Sequence, residues 1–157
     1  MKRLAFFVEG RGDFLALPNL VGNLAGQNPD FFTHLFIDDK PFVIGGPEQV
    51  SGKKQSEWNR YLKLAAKTRP NLGAVLAVFD GDSDKFEGNP FCPVNAARTL
   101  AERAKSEGAG AQFSLAVVFL RQEYESILIT AGRQIEELPA EVVLPPDPEN
   151  APRGAKE

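Results

Sequence analysis

Three short apolar runs each stop at carboxylates, and no other feature constrains the fold so tightly. Leu4-Ala5-Phe6-Phe7-Val8 precedes Glu9. Ala74-Val75-Leu76-Ala77-Val78-Phe79 precedes Asp80, Asp82 and Asp84. Leu115-Ala116-Val117-Val118-Phe119-Leu120 precedes Glu123 and Glu125. Runs that are apolar throughout, rather than alternating, belong to strands covered on both faces, and that is the habit of parallel sheets. In an open α/β sheet the carboxyl ends of such strands share one edge, where ligands bind. Carboxylates gathered there from three strands repel one another unless a cation sits among them. Their oxygens suit Mg²⁺ or Mn²⁺, and so point to phosphate chemistry.

The intervening segments support the same architecture. Asp13 is placed to cap a helix running to about Ala25, with Phe14, Leu17, Leu20, Val21 and Leu24 at helical spacing and Pro18 as an interruption. A second strand is expected from Phe31 to Ile37, with His34 inside it, and a short one at Phe42-Val43-Ile44. Helices are expected over Ser56 to Lys67, from Pro93 to about Lys105, and over roughly 123–131. Strands are expected over 74–79 and 113–120, with a long acidic loop at 80–92. Alternating strands and helices imply βαβ units and right-handed crossovers. The predicted fold is a three-layer, Rossmann-like α/β domain over 1–137, with a mostly parallel central sheet of about four strands. Residues 138–157 hold five prolines and are expected to pack as an irregular C-terminal arm.

Composition narrows the function. The chain has 157 residues, of which 43% are hydrophobic, enough for one domain with its own core. No apolar run approaches the ~20 residues of a membrane span. Met1-Lys2-Arg3 leads straight into a strand, without a signal-peptide pattern, so a cytoplasmic protein with no membrane partner is expected. One cysteine, Cys92, and one histidine, His34, exclude an internal disulfide and a Cys- or His-rich zinc centre. A net charge of −3 argues against a protein that coats nucleic acid through a basic surface.

Asp80-Gly81-Asp82-Ser83-Asp84 is the sharpest local motif, with Gly81 allowing a tight turn between two carboxylates. It lacks the glycine and glutamate of an EF-hand loop, since Lys85 and Phe91 stand there. It also departs from the Asp-x-Asp-x-Thr of haloacid-dehalogenase-type phosphatases, because Asp84 replaces the threonine. Glu9 gains interest from Gly10 and Gly12, which let the backbone approach a phosphate or metal, and from the helix start beyond them. Glu123 and Glu125 open a predicted helix and, two residues apart, cannot share one of its faces. Glu123 is the preferred inward member. Gly46 to Lys54 resembles a phosphate-binding P-loop but fails, with one residue too many between its glycines and Lys54 in place of Ser or Thr. Arg11, Lys53, Lys54 and Lys156 are the candidate phosphate contacts.

In order, Val8-Glu9-Gly10, Asp80-x-Asp82, Glu123-Tyr124-Glu125 and Arg153-Gly154-Ala155-Lys156-Glu157 resemble a prokaryotic TOPRIM-like family of domains of unknown function. The resemblance spans nearly the whole chain. It implies that Glu9 is a metal ligand or general acid/base and that Asp80 and Asp82 bind Mg²⁺. Glu123 is then a second catalytic candidate, Asp84 and Glu125 are supporting acids, and Lys156 is a closing cation. TOPRIM domains occur in topoisomerases, primases and nucleases of the overcoming-lysogenization-defect type. The chain departs from the family at Asp13, where Glu is frequent, and at Ile127, where Trp is frequent. Relatives continue with an apolar pair beyond Glu157, so the arm is expected to be truncated. The implied activity is metal-dependent phosphodiester hydrolysis or phosphoryl transfer on nucleic acid. The partners implied are nucleic acid and a companion ATPase or other protein subunit, as in phage defence or DNA processing. The alternative is a non-catalytic module that binds a metal–nucleotide or a partner protein.

Overall fold

β1 (Lys2–Val8) is buried without a break from Leu4 to Val8, as its apolar run requires. The structure is a computed structural model that describes residues 1–28, 30–120 and 147. After β1 come α1 (Arg11–Gly26), a four-residue helix α2 (Phe31–His34), β2 (Leu35–Ile37), β3 (Phe42–Val43) and α3 (Gln55–Thr68). Then follow β4 (Leu72–Asp80), a small hairpin β5 (Lys85–Phe86) and β6 (Asn89–Pro90), α4 (Pro93–Ala104) and β7 (Ser114–Leu120). Single 3₁₀ turns occupy Pro47–Gln49, Gly52–Lys54 and Lys105–Glu107.

The main sheet has the order β2-β1-β4-β7, and all its pairings are parallel. β3 also pairs β1, so the sheet has five strands in four positions. β2 lies beside Lys2 to Leu4, and β3 lies further along beside Phe7 and Val8. The two therefore form one interrupted edge, bridged by Asp38 to Pro41.

Each face of the sheet carries its own core. Phe7, Val75, Ala77 and Phe79 pack against Trp58 and Leu62 of α3 and Leu100 of α4. On the other face Leu4, Phe6, Val8 and Val78 pack against Leu17 of α1. This is the expected α/β architecture of helices on both sides of a parallel sheet. Trp58 is fully buried, and its indole N–H donates to the Leu100 carbonyl at 3.0 Å, joining α3 to α4. No helix among the described residues is long and apolar enough to cross a membrane.

Two local expectations are corrected. The strand expected from Phe31 begins only at Leu35, because its partner β1 begins at Lys2, which pairs with Leu35. Residues before Leu35 have no strand to join and curl into α2, where the Thr33 hydroxyl donates to the Asp30 carbonyl at 2.7 Å. His34 accordingly ends a helical turn rather than lying within a strand. Asp13 is not the cap of α1. Gly10 holds that position, and Asp13 reaches back from the first turn to accept the Gly10 N–H at 2.9 Å. The expected helix over 123–131 and the arm from 138 lie outside the described residues, apart from Asp147.

Candidate functional site at the carboxyl edge of the sheet

Glu9 follows the last residue of β1, and Asp80 is the last residue of β4. Because these strands are neighbours in register, with Val8 opposite Val78, their carboxyl ends emerge side by side. Glu9 bridges them: its Oε2 accepts the backbone N–H of Asp80 at 3.1 Å. The carboxyl is half-buried, and its pKa is pushed up from 4.5 to about 7. Lost hydration is the largest cause; the Asp80 N–H acts against it, and the charges of Asp80, Glu48 and Asp82 add to it.

Glu48 is the member that sequence reasoning missed. It lies in the 3₁₀ turn Pro47–Gln49 after β3, on the other flank of β1. Gly46 explains the close approach. A Cβ there would stand 2.6 Å from Glu48 Oε2 and 3.0 Å from Glu9 Oε1, so only glycine lets both carboxylates crowd that backbone. A signal was present in the sequence. Phe42-Val43-Ile44 is a short apolar run followed by Gly45, Gly46, Pro47 and only then Glu48, a fainter form of the pattern that singles out Glu9 directly after its run.

The structure thus brings Glu9, Asp80, Asp82 and Glu48 into one electrostatic neighbourhood. Asp84 is exposed, further along the loop. Gly10 caps α1, with Arg11 and Gly12 exposed in its first turn. Lys53 and Lys54 lie in the turn Gly52–Lys54, where the Lys54 ammonium donates to the Gln49 side chain, one residue from Glu48. Glu123, Glu125 and Lys156 lie outside the described residues.

Among the described residues, no three His, Cys, Asp or Glu side chains stand at a spacing that would hold one metal ion between them. The donors still fit magnesium, which keeps several waters and is bound by one or two carboxylates together with substrate phosphates. Glu9 is the relevant donor: its carboxyl is half-buried, lost hydration is the main reason its pKa is raised, and the charges of Asp80, Glu48 and Asp82 add to that.

Fold and site together define a parallel α/β domain with an acid-rich strand-end edge. No family model, curated protein or solved structure matches the chain.

Proposed function

We propose that this edge is a TOPRIM-like site for Mg²⁺- or Mn²⁺-dependent hydrolysis or transfer of phosphodiesters in nucleic acid. The observation that carries the proposal is the junction of Glu9 and Asp80 across two neighbouring strand ends, where burial and then the nearby carboxylates raise the Glu9 pKa to about 7. One or two of the carboxylates Asp80, Asp82 and Glu9 would hold the cation, together with substrate phosphates. A bound divalent ion would supply Lewis-acid polarisation of the phosphate.

The chain's own residues supply the rest. With a pKa of about 7, the Glu9 carboxylate can take a proton from an attacking water near neutral pH and release it afterwards. A cation would compete with that proton for the same oxygens, so Glu9 serves as ligand or base according to how the ion is seated. Glu123 is the second acid/base candidate. Arg11, Lys53 and Lys54 are suited to hold the substrate backbone, offsetting the repulsion between a phosphodiester and an acidic edge. The wider system would be phage defence or DNA processing in the cytoplasm, with a companion ATPase or another protein subunit.

Purified protein with Mg²⁺ or Mn²⁺ is expected to degrade DNA or RNA. Asp80→Ala is expected to abolish that activity, and Glu9→Gln to lower it about 100-fold. Wild type and Asp80→Ala that are equally inert on all nucleic-acid substrates would sink the proposal. The net charge of −3 favours a second reading, a non-catalytic module that binds a metal–nucleotide or a partner protein. That reading gains if both proteins are inert while the cation still raises the wild-type melting temperature.

A further inference from the structure

Two segments leave the neighbourhood of Glu9 and meet again at Glu87. The first runs through 45–54. Its near end is Gly46, packed against the Glu9 carboxylate, and its far end is Gly52, next to Lys53 and Lys54. The second runs through 80–92. Its near end is the Asp80 N–H on Glu9, and its far end is the β5–β6 hairpin. At the hairpin turn, Glu87 Oε1 accepts the Gly52 backbone N–H at 2.9 Å. The same carboxylate takes both arms of the Arg103 guanidinium from α4, at 2.5 and 2.9 Å. The contacts close a ring: Glu9 to Asp80, along the acidic loop to Glu87, across to Gly52, and back through Gly46 to Glu9.

The residue type at 87 is informative. Glu87 and Gly88 form the two-residue hairpin turn, with φ of +53° and +82°. A turn with both central residues at positive φ favours Asn-Gly, Asp-Gly or Gly-Gly. A glutamate in the left-handed region breaks that local rule, and such breaks occur where a side chain is needed for something other than the turn. Here the carboxylate spans 35 positions of sequence to reach Gly52. The Arg103 guanidinium, followed by the Gly52 N–H, holds it below the usual carboxylate range.

We infer that Glu87 is a positioning residue, a latch that joins the acidic loop and the lysine-bearing turn into one rim around Glu9. Arg103 anchors the latch to α4, which is itself packed on the sheet. The rim fixes where Lys53 and Lys54 stand relative to Glu9 and Asp80. Its consequence for catalysis rests on the phosphodiester reading above: a substrate backbone would be gripped by lysines whose position Glu87 sets.

The discriminating variant is Glu87→Asn, which suits the turn better than the native residue and removes the latch. Amide hydrogen exchange on the full chain is expected to rise about 10-fold at Gly52 and across 45–54 and 81–92, with β1 and β4 unchanged. Arg103→Gln should do the same. Combining it with Glu87→Asn should add little, because the two residues act as a unit. Arg103→Lys, which keeps the charge but loses the two-armed grip, should fall between. Exchange at Gly52 within twofold of wild type in Glu87→Asn would overturn the latch. In the nuclease assay, Glu87→Asn should raise KM and leave kcat nearly unchanged, since a lysine grip acts alike on ground and transition states. An unchanged KM in an active protein would overturn the link to substrate. An inactive wild type would count against the phosphodiester reading alone, and exchange would still decide the latch.

Discussion

At the scale of single residues, the Glu9 carboxyl is held under opposing influences. The Asp80 N–H favours its charged form, while lost hydration and the charges of Asp80, Glu48 and Asp82 oppose it more strongly. Since the folded pKa lies above the unfolded one, Glu9 contributes stability in full below about pH 4.5 and loses it as pH rises through about 7. Water reaches this half-buried group and screens it, so the loss amounts to about 1 kcal/mol. Glu9→Gln keeps an acceptor for the Asp80 N–H and removes the charge. In the presence of a chelator it is expected to unfold at higher urea than wild type at pH 8 and at about the same urea below pH 4.5. A Glu9→Gln protein less stable than wild type at pH 8 would contradict the stated balance. Glu48→Gln should lower the Glu9 pKa, followed by NMR titration of its side-chain carboxyl carbon, because it removes one of the opposing charges. Glu9 was legible because it ends a long apolar run. Glu48 was not, because the run before it is three residues long and its relation to Glu9 depends on β3 pairing beside β1.

At the scale of elements, the interrupted edge is where sequence and structure part most. Long apolar runs announce β1, β4 and β7; β1 and β4 lie between strand neighbours and carry the buried core, whereas β7 pairs only β4 among the described residues and is at most partly buried there. β2 and β3 are three and two residues long, too short for any pattern to set their bounds. Their gap is closed by Asp38, a charge that apolar patterning passes over. Asp38 is 2% exposed. Its backbone N–H donates to the Leu4 carbonyl at 2.9 Å, and its Oδ1 accepts the Lys40 N–H at 3.0 Å. Its Oδ2 lies against the guanidinium of Arg69 and 3.4 Å from that of Arg3. Oδ2 and both Nε atoms lack aligned hydrogen bonds, so these guanidiniums act there as neighbouring charges. Arg69 also donates to the Lys40 carbonyl at 2.8 Å, tying the end of α3 to the gap. Removing one partner of a buried charge group leaves the others uncompensated, at a cost of about 3 kcal/mol. Asp38→Ala is therefore expected to lower the urea midpoint by that equivalent, with the denaturant slope unchanged. A loss below about 1 kcal/mol would mean that the arginines find water instead.

At the scale of the whole molecule, parallel pairing sends the carboxyl ends of the main strands to one edge, where Glu9 follows β1, Glu48 lies in the turn after β3, and Asp80 and Asp82 end and follow β4. If a divalent cation binds at that edge, as proposed, its binding must appear as stability. A ligand that binds only the folded state adds RT ln(1 + [L]/Kd), about 2.7 kcal/mol at a concentration 100 times Kd. At pH 7.5 the melting temperature is expected to rise saturably with Mg²⁺ or Mn²⁺ and not with NaCl at matched ionic strength. The dependence should be steeper above pH 7 than below it, because protonated Glu9 is a poorer ligand and proton and metal compete for its oxygens. Asp80→Asn should flatten the response while leaving the metal-free protein folded, since the Asp80 N–H that holds Glu9 belongs to the backbone. A melting temperature indifferent to both cations at pH 8 would remove the metal site. The acidic edge would then be a binding surface, its crowding of carboxylates relieved by a cationic partner.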